Sequence, residues 1–450
     1  MAFRWTSLAG FMAAANVVLI LFISCGCSRD GEKAVSPRPG QSASAANGYV
    51  GSEKCGTCHP RNYHEWKGSK HANMMSEASS KTVVGDFSCA PGSPGQTFPD
   101  GVAMTCEAGA YGVALDGSEI GKGKFAVAFT LGGTVRQMYL AIDAKGVPRV
   151  LPVQWNVQEG RWVQAVGDTG PVPGKGLRDW LEDCAGCHVT GFTGDTSQGL
   201  RGAWTENGIG CEACHGPGAR HANAPTPEKP DTIFNPGNFH DELRADMVCG
   251  RCHTRGRNAD GVHAYATAYE PGADYRPRFH EVSRGSQEFF WPDGSSRANH
   301  QQFIDFKTSK MFAKGVRCWA CHNPHKSSSN RGADLRLSGN SLCRSCHVRE
   351  PGPRNLTHAI HDDGSCVGCH MPPTAMSAVA GDVASHSFIP IRPEAALVLG
   401  GGDVAIQPNS CNLCHYHSKH PVKDLDAFLQ NRMKAQYGRP LREPVASRRE

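Results

Sequence analysis

The feature that most constrains this 450-residue chain is a short cysteine motif that occurs eight times. Sixteen of the twenty cysteines fall into Cys-x-x-Cys-His units, and no Cys-x-x-Cys in the chain lacks the histidine. With 21 His in 450 positions, chance would put His there in roughly 5% of cases, so eight accidental occurrences have a probability on the order of 10⁻¹¹. The units, numbered sites 1 to 8 in chain order, span residues 55–59, 184–188, 211–215, 249–253, 318–322, 343–347, 366–370 and 411–415.

Each unit has the chemistry of a covalent haem attachment site. Two thiols held one turn apart can each add to a vinyl group of one haem, and the adjacent imidazole then binds the iron. Structural zinc sites and disulfide frameworks also use paired cysteines, but neither requires His after the second Cys. We therefore predict eight covalently bound haem c groups, attached through Cys55, Cys58, Cys184, Cys187, Cys211, Cys214, Cys249, Cys252, Cys318, Cys321, Cys343, Cys346, Cys366, Cys369, Cys411 and Cys414, with His59, His188, His215, His253, His322, His347, His370 and His415 as proximal ligands.

A second axial ligand for each iron is in ample supply. Removing eight proximal histidines from 21 leaves thirteen, five more than the eight haems need. Met74, Met75 and Met311 are therefore interpreted as packing residues. Four histidines far from useful positions are interpreted as ordinary surface residues: His64, His240, His263 and His280. The predicted distal ligands are His71, His221, His300, His325, His358, His361, His386 and His420.

Four cysteines lie outside the motifs: Cys25, Cys27, Cys89 and Cys106. Cys89 and Cys106 could pair in an oxidising compartment, or they could remain two buried thiols. The disulfide is slightly favoured, and no redox role is assigned to either residue.

The first 48 residues predict export and attachment to a membrane. Arg4 precedes a nearly uninterrupted apolar run from Leu8 to Ile23, which is typical of a signal peptide over residues 1–24. The segment Phe22-Ile-Ser-Cys-Gly26 resembles a lipoprotein cleavage site, which would place a lipid on Cys25. An uncleaved anchor and plain cleavage are the alternatives. Residues 25–48 predict a flexible tether, and we expect a periplasmic or outer-surface location on a bacterium.

The spacing of the motifs predicts how the rest of the chain is organised. Where only about 20 residues separate two sites, the haems must pack on each other and replace an ordinary apolar core. Alternating apolar residues in the long gap after site 1 predict an antiparallel β subdomain at 83–167. The predicted fold is mainly irregular and α-helical, with a haem-packed core and this small inserted subdomain. Its other segments are a first haem segment at 49–82, a domain with seven haems at 168–421, and a C-terminal packing helix and tail at 422–450.

Charge and hydropathy exclude two other classes of protein. Apart from the N-terminal segment, no apolar stretch is long enough to span a membrane, so the chain is not a polytopic membrane protein. A net charge of +5 and a pI of 8.3 are too weakly basic to indicate nucleic-acid binding.

Several motifs and their flanks carry a family resemblance. They are residues 51–59 with Tyr63, Trp66, Ser69, His71 and Ala72; 210–218 with His221; 315–325; and 386–388. Together they resemble multihaem c-type cytochromes of the cytochrome c-554, hydroxylamine oxidoreductase and nitrite reductase superfamily, over residues 49–420. This resemblance implies exported haem chains whose iron is mostly bis-His, with distal ligation by His71, His221, His325 and His386. The nitrite reductases typically attach their catalytic haem through Cys-x-x-Cys-Lys, which this chain lacks.

Two functions fit these features. The first is electron transfer along closely spaced haems to redox partner proteins, either other cytochromes or a membrane oxidoreductase. The second is oxidation or reduction of nitrite, hydroxylamine or tetrathionate at one open haem, with Arg251, Arg255, Tyr275 and His280 as candidate pocket groups. No catalytic residue is assigned, and no signalling segment supports a haem-based sensor. Whether the chains form a homo-oligomer is left open.

Overall fold

Short helices carry the motifs, and an antiparallel sheet occupies the long gap between sites 1 and 2. The computed structural model describes residues 48–88, 101–107, 109–116, 122–144, 146–164, 178–193, 202–326, 334–347, 365–414 and 416–437. All of these residues belong to one compact unit that spans Pro39–Glu450. The predicted signal peptide and most of the tether fall outside the described residues, as do Cys25, Cys89, His358, His361 and His415.

The sheet has seven strands, all paired antiparallel. Six of them follow the order β2-β3-β4-β5-β6-β7, and the seventh, β1, pairs with β4. The long central strand β4 pairs with β3 along its first half and with β1 along its second half. The sheet therefore begins before residue 83, inside the segment that carries site 1. The strands are β1 Met75–Glu77, β2 Ala103–Glu107, β3 Ala110–Leu115, β4 Gly123–Gly132, β5 Arg136–Ile142, β6 Pro148–Asn156 and β7 Arg161–Gln164.

Both faces of this sheet are buried, which explains its run of apolar residues. Along β5, Met138 and Leu140 face one cluster while Tyr139 and Ala141 face another, as the two-residue period of a strand requires. The second cluster is aromatic and lies within the subdomain. The first cluster includes Trp180, Cys184, Ala185 and Trp204. The sheet is therefore the packing partner of site 2.

The helices are short, and ten of the fourteen in the described residues have five residues or fewer. Two-stranded ribbons join β8 Val189–Thr190 to β9 Glu206–Asn207 and β10 Gly256–Asn258 to β11 Phe279–Glu281. The predicted irregular structure and inserted antiparallel sheet agree with the structure. The prediction that α-helix is the main regular element is confirmed only in part, because the sheet is large and the helices are short. The helices are α1 Ser52–Gly56, α2 Pro60–Lys67, α3 Trp180–Asp183, α4 Ala185–His188, α5 Cys211–His215, α6 Ala219–Asn223, α7 Glu242–His253, α8 Gln302–Phe306, α9 Lys310–Ala313, α10 Cys318–Cys321, α11 Asn340–Arg344, α12 Cys366–His370, α13 Pro393–Gly400 and α14 Val422–Tyr437.

Cys106 on β2 forms a disulfide, as favoured for this residue, and its partner lies outside the described residues. None of the sixteen motif cysteines forms a disulfide. None of the helices in the described part of the chain has the length and apolar character needed to cross a lipid bilayer.

Candidate functional site

The motifs in the described residues fold locally as helical turns, which is the geometry that their spacing requires. At site 1 the backbone N–H of Cys58 donates to the carbonyl of Cys55 at 3.2 Å, and that of His59 donates to the same carbonyl at 2.9 Å. The same pattern joins His322 to Cys318 at 2.9 Å. Two thiols therefore lie on one side of a turn, with the imidazole directly after them.

Thiols from different motifs meet, so the motifs are neighbours in space. Four such contacts are close enough for a thiol–thiol hydrogen bond, and each joins two different sites. Site 1 meets site 3, site 4 meets both site 2 and site 5, and site 6 meets site 7. The pairs are Cys55 with Cys211, Cys187 with Cys252, Cys249 with Cys318, and Cys343 with Cys366.

Four proximal histidines face a second histidine across a gap of nearly constant width. In each case the second ring belongs to a residue predicted as a distal ligand. Three pairs are nearly parallel, and the fourth is nearly perpendicular. The ring centroids are 6.2 Å apart for His59 and His221 (18° between planes), 6.0 Å for His215 and His325 (11°), 6.3 Å for His322 and His386 (22°), and 6.4 Å for His253 and His71 (80°).

This gap fits one iron ion held between two imidazoles. Imidazole binds first-row metals at about 2 Å, so two axial nitrogens lie about 4 Å apart and the ring centroids about 6 Å apart. Direct stacking of two rings would bring them closer than that. Each imidazole can rotate about its metal–nitrogen bond, so parallel and perpendicular rings are both compatible with ligation. The residues present therefore fit a haem with two axial histidines at sites 1, 3, 4 and 5.

Hydrogen bonds to backbone carbonyls set the tautomer of several of these histidines. A carbonyl oxygen only accepts, so Nδ1 must carry the proton and Nε2 keeps a lone pair for a metal. Nδ1 of His215 donates to the Phe234 carbonyl at 2.8 Å, and Nδ1 of His221 donates to the Lys229 carbonyl at 3.0 Å. The same arrangement occurs at His386 with the Ala384 carbonyl at 3.0 Å, and at His370 with the Phe388 carbonyl at 3.2 Å.

Burial keeps five of the paired histidines in the neutral form that metal binding requires. Desolvation lowers the pKa of His253 and of His386 to about 4. It also lowers the pKa values of His71, His215 and His325. All five rings are therefore uncharged at neutral pH, with a nitrogen lone pair available to a metal.

The other predicted ligands are placed differently. His188 lies 6.5 Å from the indole of Trp180, and His347 is exposed at the surface. His420 lies 5.2 Å from His417, close to site 8. His300 adopts a positive φ of 58°, an uncommon conformation for a residue other than glycine. His300 and His420 both remain predictions as distal ligands.

The four candidate pocket groups of the oxidoreductase hypothesis have different surroundings. Arg255 donates to the side chain of Asn299 at 2.7 Å, and Tyr275 is buried with its hydroxyl 3.1 Å from Glu281. His280 is exposed on β11. Arg251 lies among the motif cysteines, since its charge acts on three of them.

One surface assignment was wrong. His263 is only 9% exposed. It lies in a tight turn that begins at Asp260, and its Nδ1 donates a hydrogen bond to the Asp260 carboxylate at 2.9 Å. An Asp-Gly pair two residues before a histidine is the signal that could have indicated this turn. His64, His240 and His280 are exposed, as expected.

A buried carboxylate that joins sites 1 and 3 was also missed. Glu212 is 2% exposed and accepts hydrogen bonds from the backbone of Val50, Gly51 and Gly218, at 2.9, 2.7 and 2.6 Å. Its position inside the third motif, Cys211-Glu-Ala-Cys-His215, gave no indication that it contacts the first.

Family profiles match three parts of the chain. The profile of cytochrome c554 and c-prime matches residues 54–91 and 173–216, and that of a doubled CXXCH motif matches residues 310–352. These matches include sites 1, 2 and 3 and sites 5 and 6.

Curated relatives are similar over longer stretches. The multiheme cytochrome MtrA of Shewanella baltica is 27% identical over 199 residues, covering 40% of this chain and 56% of that protein. The dissimilatory sulfite reductase MccA of Wolinella succinogenes is 22% identical over 401 residues, covering 72% and 51% respectively. Cytochrome c-554 of Nitrosomonas europaea is 32% identical over 120 residues, covering 22% and 46%. The chain spans about half the length of the curated relatives it matches.

A solved structure shares the fold. The outer cell wall cytochrome OcwA superimposes with a TM-score of 0.62 at 22% identity, covering 86% of this chain and 88% of that one. The agreement extends over most of both chains.

Proposed function

This chain is a multihaem c-type cytochrome, and we propose that it attaches eight haems and transfers electrons along them. Haem iron, when bound, supplies a reversible one-electron couple. The observation that carries the proposal is the set of four histidine pairs whose rings lie 6.0 to 6.4 Å apart. A haem iron held by both imidazoles of such a pair would have no open coordination position, so the site would exchange electrons without binding a substrate.

The pairs define the proposed ligands at half of the sites. His221 serves site 1, His325 serves site 3, His71 serves site 4 and His386 serves site 5. Four sites remain, numbered 2, 6, 7 and 8, and four predicted distal ligands remain for them. We propose that these ligands are His300, His358, His361 and His420.

The contacts between thiols support a continuous path through the molecule. Sites 1 and 3, 4 and 5, and 6 and 7 meet directly, and site 2 joins at site 4. Closely placed cysteines complete the series between sites 3 and 4, 5 and 6, and 7 and 8. The proposed order is thus 1-3-4-5-6-7-8, with site 2 as a branch. The completing cysteines are Cys214 and Cys252, Cys321 and Cys346, and Cys369 and Cys414.

The protein's part in this function is to fix the ligands and to control their surroundings. Carbonyl acceptors hold Nδ1 of His215 and His221 and thereby orient each ring. Burial keeps the imidazoles neutral and excludes water, which favours transfer with little reorganisation.

Location and partners are proposed from the same features. We propose that a signal peptide exports the protein to the periplasm or the outer cell surface of a bacterium, and that a lipid on Cys25 holds it near a membrane. Its partners are then other redox proteins, such as a membrane oxidoreductase or a second cytochrome. The names of the relatives MtrA and OcwA, both cytochromes, are consistent with this setting.

Iron quantitation and spin state test the main proposal. The natively matured protein should contain eight irons per chain, and the alkaline pyridine spectrum should be that of haem c. The ferric electron paramagnetic resonance (EPR) spectrum should be predominantly low-spin. A mainly high-spin spectrum, or substantially fewer irons in fully matured protein, would contradict it.

Similarity to the sulfite reductase MccA supports a second candidate function. In that case one haem keeps an open coordination position and reduces or oxidises a small nitrogen or sulfur compound. Carbon monoxide or cyanide would then shift the spectrum of one haem in eight. Turnover of sulfite, nitrite, hydroxylamine or tetrathionate with a reduced or oxidised dye would separate this function from electron transfer alone.

A further inference from the structure

Arg251 lies where three of the haem attachment sites meet. It is the residue before the second cysteine of site 4, in Cys249-Gly-Arg-Cys-His253. Its charge acts on Cys252 of the same site, on Cys187 of site 2 and on Cys214 of site 3. The Cys187 thiol also points at the Arg251 carbonyl, at 3.9 Å. This cation therefore lies near sites 2, 3 and 4, at the branch point of the proposed electron path.

No carboxylate compensates this cation in the described part of the chain. Its guanidinium lies 5.5 Å from the centre of the Tyr269 ring and forms no ion pair there. Burial raises the pKa of Tyr269, so that phenol is neutral. Other arginines are paired: Arg276 with Asp274 at 2.6 Å, and Arg149 with Asp143 at 2.9 Å. Arginine keeps its charge even when desolvated, so the cation persists.

The sulfurs around Arg251 would not balance its charge once haem is attached. A cysteine joined to a haem vinyl group is a thioether and carries no charge. In the loaded protein Cys187, Cys214 and Cys252 would therefore leave the arginine as a positive charge beside three haems.

We propose that Arg251 raises the reduction potentials of the haems at sites 2, 3 and 4, so that electrons collect at this junction. A ferric haem carries one more positive charge than a ferrous one, and a nearby cation in a poorly polarisable interior therefore disfavours the ferric state. The inference rests on the proposed electron-transfer function and adds a position at which electrons reside. Arg251 would act only through the charge that it places beside these haems, and not by contact with a substrate.

Potentiometric titration of three variants tests the proposal. Arg251→Gln removes the charge, Arg251→Lys keeps it, and Arg276→Gln removes an exposed, paired arginine as a control. In Arg251→Gln at least one haem should show a tenfold higher ferric-to-ferrous ratio at fixed potential, a shift of 59 mV to lower potential for a one-electron couple. Arg251→Lys should retain most of the wild-type potential, and the control should match the wild type.

Two outcomes would overturn the proposal while leaving eight low-spin haems and electron transfer intact. Equal shifts in Arg251→Gln and Arg251→Lys would mean that packing, and not charge, sets the potential. Unchanged potentials in Arg251→Gln would mean that another group, such as a haem propionate, already neutralises the cation.

If the Arg251 variants fail to mature, the order in which the haems of the wild-type protein are reduced tests the proposal instead. The first electrons should reduce the haems of sites 2, 3 or 4. The EPR signals that disappear first can be assigned with His325→Ala for site 3 and His71→Ala for site 4. Disappearance of the signals of sites 1 and 5 first, assigned with His221→Ala and His386→Ala, would contradict the proposal.

Discussion

At the scale of single residues, the chemistry depends on which imidazole nitrogen carries the proton. His221 donates from Nδ1 to the Lys229 carbonyl at 3.0 Å, which leaves Nε2 available. Its ring lies 6.2 Å from that of His59, about the separation of two axial ligands of one metal. A single hydrogen bond to the backbone thus converts an ordinary histidine into an oriented ligand.

Replacement of this histidine should open one haem. In His221→Ala the site 1 iron should lose an axial ligand, because the described residues place no imidazole other than that of His221 opposite His59. We expect one haem in eight to become high-spin and to bind carbon monoxide, as measured by ferric EPR and by carbon monoxide titration of the reduced protein.

The exposed His240 provides the matched control for this substitution. His240→Ala should leave every haem low-spin. Full low-spin character in His221→Ala would show that another residue is the ligand of site 1.

At the scale of secondary-structure elements, buried polar contacts hold the short haem-binding helices together. A five-residue helix such as α5 is not stable alone and needs tertiary contacts. Glu212 supplies them, because its carboxylate accepts hydrogen bonds from the backbone just before α1 and just after α5. Ser52 adds a second link: it donates to Glu206 at 2.7 Å and accepts from the backbone N–H of Cys211 at 2.9 Å.

Loss of the Glu212 carboxylate should therefore destabilise sites 1 and 3 together. Glu212→Gln replaces one acceptor oxygen with a donor that faces backbone N–H groups, which should cost about 3 kcal/mol of unfolding free energy. Denaturation of the haem-loaded protein, followed by the Soret band, measures this. The exposed Glu228→Gln is the control, and equal stability of the two variants would show that Glu212 is not a structural link.

The sheet should support site 2 through its apolar face. Leu140 on β5 is fully buried in the cluster that includes Trp180 and Cys184. Leu140→Ala should cost about 2 to 5 kcal/mol of unfolding free energy through the cavity it leaves. Val398→Ala, at a position that is 55% exposed, should cost less than about 0.5 kcal/mol.

Thermal or chemical denaturation compares the two variants. Haem content should be unchanged in both, because neither residue contacts iron. An equal loss of stability in the two variants would mean that the sheet does not depend on this cluster.

At the scale of the whole molecule, the cofactors should reverse the charge balance. The polypeptide has a formal net charge of +5 and a sequence pI of about 8.3. Two propionates on each of eight haems would add up to sixteen negative charges, and many of the 47 Lys and Arg side chains are available to surround them.

Isoelectric focusing of the haem-loaded protein measures this balance. The isoelectric point should lie clearly below 8.3, because the added propionates outnumber the excess positive charges. A value at or above the sequence pI would contradict the prediction.

Local chemistry explains why the attachment sites could be read from the sequence. A Cys-x-x-Cys-His unit contains all of its attachment geometry within five residues, and each such unit among the described residues forms one turn. Alternating apolar residues likewise indicated the antiparallel sheet, because the period of a strand is local. The early strand Met75–Glu77 was not foreseen, since it joins the sheet by pairing with the distant β4.

Pairing between sites depends on tertiary contacts that no local pattern encodes. The sequence predicted His71, His221, His325 and His386 as distal ligands, but only the folded chain brings them to sites 4, 1, 3 and 5 respectively. His263 was placed on the surface because its burial results from the turn at Asp260. Covalent attachment is a property of adjacent residues, whereas the second ligand, the order of the haems and the charge at their junction follow from how distant segments pack.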